Sequence, residues 1–545
     1  MRPRRAAYAA GAWLRGARPA PLLAALALAQ LCVVAWLAFA TPHNGWVWYS
    51  GGDATEYWTS QWSVAHGLIP QALVGWGLPV LYAWVPLVGG ASLLTALPAI
   101  VLFHALVLGP LALVLVWALA DRLYGRMYAW AVALLWVTGP LLALWAFTPR
   151  YRPRFEESVL APHWAGLTDM ADFPSLVAVL ATAWATVRAV QNGRFGSALG
   201  AGVIGGILLG LKPANGYFLP AVVVLLVAWR RPRVALGWAA GVAPAVLTLI
   251  VWKARGLGTL PLLSAYAPTR HASGAVIALS TDRYLPLDWH HLSLEWAQLR
   301  EVFWDLRSLQ FLLVAGALGA LRRSPRAGVF LVVWFVAFCV FKGMSNQADI
   351  TTTSYFRLTL PGFAALVLLV PAIVFLWPGA SGRRTDEATE SWAVRPRASL
   401  SVVGVLAAVV PLAVVLVAQP ASTDRIARFE LQSTEAPISS SLTPRVTRSG
   451  TTVRIEWGRA ARADGTKVSY AVIRTTRGDG CSAPPQGARE CVLTAPIVIS
   501  TSATTATDKP GRGRFWYRVG AVADNRANAN STDLMLVGPA VSVRV

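Results

Sequence analysis

Residues 19–40 read PAPLLAALALAQLCVVAWLAFA, and residues 51–58, shortly beyond, read GGDATEYW. The first run is almost unbroken apolar sequence and meets the roughly 20 residues that a helix needs to cross a bilayer core. Arg2, Arg4, Arg5, Arg15 and Arg18 precede it, so its start is expected on the cytoplasmic side. The charge order resembles a secretory signal, but the apolar run exceeds the roughly 7–15 residues of such a segment and no small-residue cleavage site stands out. It reads as an uncleaved first membrane helix. The second stretch then lies at the far membrane surface, with Asp53 and Glu56 lacking a salt-bridge partner close in sequence. Acids delivered there suit general-base work on a substrate that arrives through the membrane.

The composition carries the same message along the chain. Of 545 residues, 55% are hydrophobic and only 14% charged, and the mean hydropathy is +0.51, which excludes a soluble globular protein. A net charge of +22 invites a nucleic-acid reading, but the positions of the charges argue against it. Basic residues gather between apolar runs: Arg122 and Arg126; Arg230, Arg231 and Arg233; Arg322, Arg323 and Arg326; Arg383, Arg384, Arg395 and Arg397. That is the positive-inside pattern, and such clusters suit anionic membrane lipids. Threading the runs with these clusters inside predicts about eleven membrane helices. They fall near 20–40, 93–120, 127–147, 170–190, 196–212, 216–229, 234–252, 308–321, 327–341, 357–377 and 398–418. Segments 196–212 and 216–229 form either a tight pair or a re-entrant hairpin around Lys212-Pro213-Ala214-Asn215. Loops 41–92, 148–169, 253–307 and 342–356 are left outside, the first with an interfacial helix after Gly75-Trp76-Gly77-Leu78-Pro79. Long external loops rich in acids and aromatics are expected where the outer face carries a site.

From about Ala421 the chain turns polar and rich in Thr, Ser and Gly. Residues 452–457, 468–472, 517–521 and 541–545 alternate polar and apolar, as half-buried strands do, with turn signals at Ala463-Asp464-Gly465 and Pro510-Gly511. The predicted organisation is a membrane domain over 1–420 and an extracytoplasmic all-β sandwich of immunoglobulin or fibronectin type over 421–545. Cys32 and Cys339 lie in apolar runs and read as small buried hydrophobes. Cys481 and Cys491 lie in the polar region and can pair, which would contribute roughly 2.5–3 kcal/mol.

Four patches resemble the GT-C superfamily of integral-membrane glycosyltransferases, which includes protein O-mannosyltransferases and lipid A aminoarabinose transferases. They are Gly52-Asp53-Ala54-Thr55-Glu56-Tyr57 with the later His66-Gly67 and residues 75–79; Asp169-Met170-Ala171-Asp172-Phe173-Pro174-Ser175; Gly210-Leu211-Lys212-Pro213-Ala214-Asn215; and Tyr355-Phe356-Arg357-Leu358-Thr359-Leu360-Pro361. The resemblance covers roughly 20–420 and implies transfer of a sugar from a polyprenyl-phosphate donor to a glycan, lipid or protein acceptor at the outer face of the cell membrane. The family's first-loop acid acts as the base, and Asp53 matches that place. In the mannosyltransferases a Glu follows the acid at once, whereas here Ala54 and Thr55 precede Glu56. A lipid-phosphate leaving group calls for cations, for which Lys212 and Arg357 are the candidates, with Asp169, Asp172 and Tyr355 as further substrate-binding residues. The order of Trp457, Tyr470, Val472, Tyr517 and Val519 resembles a fibronectin type III domain over about 445–545. That likeness implies a recognition or spacer module.

Other readings stay open at this stage. Asp53 and Asp169 can be helix N-caps, Asp172 can answer a helix dipole, Lys212 can snorkel, and Arg357 can be interfacial. His290-His291 beside Glu295 has no metal-ligand spacing and reads as a surface loop. No metal ligand set is legible; a divalent metal is the only cofactor left open. No Walker A, CxxC pair, HExxH or GxSxG sequence occurs, and Val203-Ile204-Gly205-Gly206 with Gly210 reads as a helix-packing face. The rival reading is a polytopic transporter or lipid-linked-sugar flippase, whose mark would be charges near the middle of spans and broken helices facing a midplane cavity.

Overall fold

The computed structural model describes residues 18–40, 53–70, 74–89, 93–146, 164–257, 288–302, 306–345, 348–350, 354–377, 398–420, 426–429, 442–460, 468–476, 495–523, 531–534 and 536–545. Helices α1 (Pro19–Ala40) and α2 (Asp53–Ala65) lead into α3 (Leu93–Phe103), which passes through a π-turn at His104–Leu108 into α4 (Gly109–Tyr124). Then come α5 (Arg126–Ala146), α6 (Asp172–Asn192), α7 (Phe195–Leu211), α8 (Leu219–Ala228) and α9 (Pro232–Leu257). The helical part ends with α10 (Trp289–Val302), α11 (Leu306–Arg323), α12 (Pro325–Val336), α13 (Ser354–Leu369) and α14 (Ala398–Val417).

Helix occurs within each of the eleven ranges read from the sequence, but the count of eleven spans is not reproduced. Among the described residues six helices are long and apolar enough to cross a membrane: Pro19–Phe39, Ala96–Tyr124, Asp172–Asn192, Pro232–Gly256, Pro325–Lys342 and Ser354–Leu376. Arg126–Leu142, Phe195–Leu211, Pro213–Ala228 and Gly404–Val417 are shorter apolar helices. Lys212 is extended, at φ −151° and ψ 111°, and a 3-10 turn over Pro213–Phe218 follows. The chain thus breaks where Lys212-Pro213-Ala214-Asn215 was expected to join the two short segments.

The centre of the bundle is α6, which buries most of its surface against α4, α7 and α13. Its core partners include Leu113, Trp117, Trp136, Leu208, Phe218, Trp334 and Leu360. α7 packs closest on α9, because small residues let the backbones approach. A Cβ on Gly202 would strike the Trp238 carbonyl, and one on Gly241 the Leu199 carbonyl. The glycine-rich face of α7 therefore serves packing, as expected. Cys339 is buried, but Cys32 is exposed on α1, contrary to the reading of both as core residues. α1 packs on α4 and α5 along part of its surface only, and Cys32 lies on the part left uncovered.

The strands begin where the helices end. β1 (Leu68–Ile69), just after α2, pairs in parallel with β2 (Gln419–Pro420), just after α14. A three-stranded sheet holds β4 (Arg445–Ser449), β5 (Thr452–Glu456) and β8 (Thr505–Asp508) in the order β4-β5-β8. The larger sheet runs β10 (Ser531–Leu534), β3 (Ile426–Phe429), β7 (Ala495–Thr501), β6 (Val468–Thr475), β9 (Arg514–Ala523) and β11 (Leu536–Val537), with β12 (Val541–Arg544) also on β9. Val453, Ile455 and Trp457 of one sheet share a core with Tyr470, Val472, Tyr517 and Val519 of the other, as in a two-sheet sandwich. The four alternating stretches are β5, β6, β9 and β12. Cys481 and Cys491 lie outside the described residues.

Candidate active site

The stretch that follows α1 in sequence is held down on the bundle. In α2 the side chains of Tyr57, Trp58, Gln61, Trp62 and Ser63 are all buried, and Trp58, Gln61 and Ser63 completely so. Residues 74–82 lie across the end of α7: a Cβ on Gly75 or Gly77 would run into the backbone of Gly210 and Leu211. Trp76 donates its indole N–H to the Ala245 carbonyl at 3.3 Å, and Trp252 donates to the Val74 carbonyl at 3.0 Å. Only glycine permits this approach of backbone to backbone.

The approach to α6 completes the cluster. Gly166 takes φ +75°, and a side chain there would meet His104 and Phe173. The turn aims the Gly166 carbonyl at His104 Nδ1, 2.8 Å away, while His104 Nε2 lies 2.7 Å from Tyr82 Oη. A carbonyl can only accept, so Nδ1 carries the hydrogen; in the neutral ring Nε2 accepts from the Tyr82 hydroxyl. Three residues on, Asp169 is 1% exposed. Its Oδ1 accepts from Gln61 Nε2 at 2.9 Å. Asp169 Oδ2, Gln61 Oε1 and Thr168 Oγ1 are buried with no hydrogen-bond partner among the described residues. Burial lifts the Asp169 pKa to about 7, against the lowering effect of the Gln61 bond. Burial, and after it the Asp169 charge, holds the Tyr82 phenol protonated well above its usual range.

Asp172 stands in the first turn of α6, where the helix dipole favours a carboxylate. Its Oδ1 also meets Lys212 Nζ at 2.6 Å, with the side chains 4% and 19% exposed. Lys212 is thus ion-paired within the cluster instead of snorkelling to an interface. Asn215 donates to Ser175 Oγ and to the Leu208 carbonyl, both at 2.9 Å, fastening the 3-10 turn to α6 and α7. Arg357 Nη1 approaches Met170 Sδ at 3.6 Å, which sets it beside the same loop.

The remaining expected residues fall out differently. The N-cap of α6 is Ala171, so Asp169 does not cap it. Tyr355 donates to the Cys339 carbonyl at 2.9 Å, a packing bond between α13 and the π-turn over Ala337–Lys342. Helix α2 starts at Asp53 itself, and Glu56 stands in its first turn; the side chains of both lie outside the described ones. His290 and His291 sit on α10, not in a loop. His291 Nε2 is 2.9 Å from the Ala348 carbonyl and Glu295 Oε2 accepts from the Ile350 N–H at 2.8 Å, so they pin the backbone at 348–350. Sequence reasoning missed Gln61, Tyr82 and His104. His104 was findable as an ionisable side chain inside an apolar span.

Chemically, the cluster offers a buried carboxyl group poised to gain or lose a proton near neutrality and an adjacent Lys–Asp pair. A divalent ion would find one open carboxylate oxygen at Asp169; no three His, Cys, Asp or Glu side chains converge among the described residues.

No protein-family model matches this chain, and no curated protein matches it. Among solved structures it is similar to the apo crystal structure of the oligosaccharyltransferase from Archaeoglobus fulgidus, at 14% identity and a TM-score of 0.40. The likeness covers 74% of this chain and spans 57% of the archaeal protein's length.

Proposed function

We propose that this protein is a GT-C-type sugar transferase of the cell membrane. It takes a sugar from a polyprenyl-phosphate donor and delivers it to a hydroxyl acceptor at the outer face. The observation that carries the reading is the meeting of the four sequence patches through direct contacts. Gly75 and Gly77 pack on Gly210 and Leu211, Gln61 bonds Asp169, Lys212 pairs with Asp172, and Arg357 reaches Met170. A transporter needs no such gathering of acids and cations at one end of its helices.

In this reading the acceptor hydroxyl oxygen attacks the anomeric carbon while Asp53 takes its proton, with Glu56 one helical turn away on α2. The bond from the anomeric carbon to the phosphate oxygen breaks, and the polyprenyl phosphate leaves with the electron pair. Lys212 and Arg357 counter the charge that grows on that phosphate, while Asp169 and Asp172 hold the sugar and the lysine. The β-sandwich lies outside the membrane and contacts the acceptor.

Membranes incubated with radiolabelled polyprenyl-phosphate sugars provide the test. One label should leave the lipid, and Asp53→Asn should slow its loss by about 10²–10⁴-fold at unchanged protein level. Near-normal transfer by the variant would end the assignment of Asp53 as base.

A further inference from the structure

The turn between α8 and α9 holds Arg230 at φ +50°, the one residue other than glycine with positive φ among the described residues. A Cβ is disfavoured in that region, and glycine or asparagine is its usual occupant. A residue kept in a costly backbone conformation points to a use for its side chain. Arg230 is exposed; its backbone N–H bonds the Val227 carbonyl at 3.0 Å, while its side chain makes no hydrogen bond or ion pair among the described residues.

That side chain lines a groove of about 370 Å³, shared with Leu226, Val227, Arg231, Pro232 and Ala235. The groove has two chemistries. Its wall is apolar and faces out of the bundle, since Val227 is 67% exposed and neighbouring Leu236 66%. Its rim carries two guanidinium groups. Arg231 Nη1 donates to the Gln191 carbonyl at 3.3 Å, which fixes the rim to the last turn of α6. Because α6 has 21 residues and begins at Asp172, the groove lies about 30 Å from the Lys212–Asp172 pair, at the opposite end of the bundle. Other cations gather at this end. Arg326 stacks on Trp229 at 5.5 Å, and Arg122 donates to Gln191 Oε1 at 3.0 Å.

We propose that this groove seats one anionic phospholipid of the leaflet at that end. Its phosphate is held by Arg230 and Arg231, and one acyl chain lies along Leu226, Val227 and Ala235. A free phosphate would engage the rim and leave the wall bare; a zwitterionic lipid would bring a cation to an already cationic rim. The phospholipid alone answers both halves of the groove. The strained turn is then maintained because glycine, the residue the backbone favours, would remove half of the phosphate clamp.

The test uses the full-length protein in neutral detergent. Thermal unfolding is followed with added phosphatidylglycerol, phosphatidylcholine or glycerol phosphate, and native mass spectrometry counts bound lipid on the folded protein. The variant is Arg230→Gly, which suits the left-handed turn and so unfolds no lower than wild type without lipid. Phosphatidylglycerol should raise the wild-type midpoint, and the variant should bind its first phosphatidylglycerol about tenfold more weakly. Phosphatidylcholine and glycerol phosphate should leave the midpoint unmoved. Equal phosphatidylglycerol binding by both proteins would overturn the proposal, as would an equal shift with phosphatidylcholine. A full shift with glycerol phosphate would make the rim a free-phosphate site and overturn the lipid assignment.

Discussion

Gln61 and Asp169 meet side chain to side chain at 2.9 Å across 108 positions of sequence, and the bond occupies only one of the two carboxylate oxygens. A buried carboxylate with one partner keeps most of its desolvation penalty, which is why its proton is held so firmly.

The pH dependence of stability follows from that. The pKa of Asp169 rises from 3.8 to about 7 on folding. Between those values the native state binds more protons than the unfolded chain, so this group's contribution falls as pH rises through that window and stays low above it. Asp169→Asn is neutral throughout and still accepts from Gln61. It should be more stable than wild type at alkaline pH, by at most about 4 kcal/mol, and the difference should vanish in acid. Thermal unfolding at either end of the window reads this directly; parallel pH slopes for the two proteins would mean that Asp169 stays ionised in the fold.

The Lys212–Asp172 pair should behave as a unit. Lys212→Met strands a buried carboxylate and should cost about 3–5 kcal/mol, most of which Asp172→Asn in the same chain restores. Stability would recover in the double variant, whereas donor use would not, because the proposed phosphate contact is still missing. Donor titration of the double variant separates the two roles: a normal donor KM there would reduce the pair to a structural brace.

Gly77→Ala should destabilise the protein by about 1–3 kcal/mol, since the added methyl meets the backbone of Leu211 and Gly210. The displacement would be passed to Lys212, next in sequence. Gly216→Ala is the control, because its nearest neighbour is the Leu209 side chain at 3.9 Å. Urea unfolding of both variants makes the comparison, and equal midpoints would contradict the tight packing of residues 75–79 on α7.

The β-sandwich should be cut by protease added to intact spheroplasts, and Cys481 and Cys491 should show no free thiol. By the positive-inside rule Arg383, Arg384, Arg395 and Arg397 are expected to hold the start of the last apolar helix inside, which would put its far end outside. Protection of the sandwich would invert the topology and, with it, the side on which Asp53 works.

Most of the elements were legible in the sequence, because apolar runs and strand alternation report local periodicity directly. Span lengths were not, since an irregularity such as the π-turn at His104–Leu108 inside the range read as one helix depends on local backbone geometry, which hydropathy does not register. The site was legible only as scattered patches. Periodicity says which face a residue occupies but not which distant element covers it, so Gln61 as the partner of Asp169 had no local signal. Tyr355 and Arg357 were read as one patch. They are two residues apart in one helix, and residues so spaced point to different faces. One therefore reaches the Cys339 carbonyl and the other Met170.

The short parallel pairing of Leu68 and Ile69 with Gln419 and Pro420 also constrains how the molecule is made. The segment just past α2 is translated early, yet its partner strand emerges only after the last apolar helix has been threaded. The Gln419 N–H, which bonds the Gly67 carbonyl at 2.8 Å, closes this seam. A ribosome-bound or truncated chain therefore carries α2 without its clasp. The membrane part closes at the same place where it began, so α2 gains this clasp only in a nascent chain that has been made as far as Pro420.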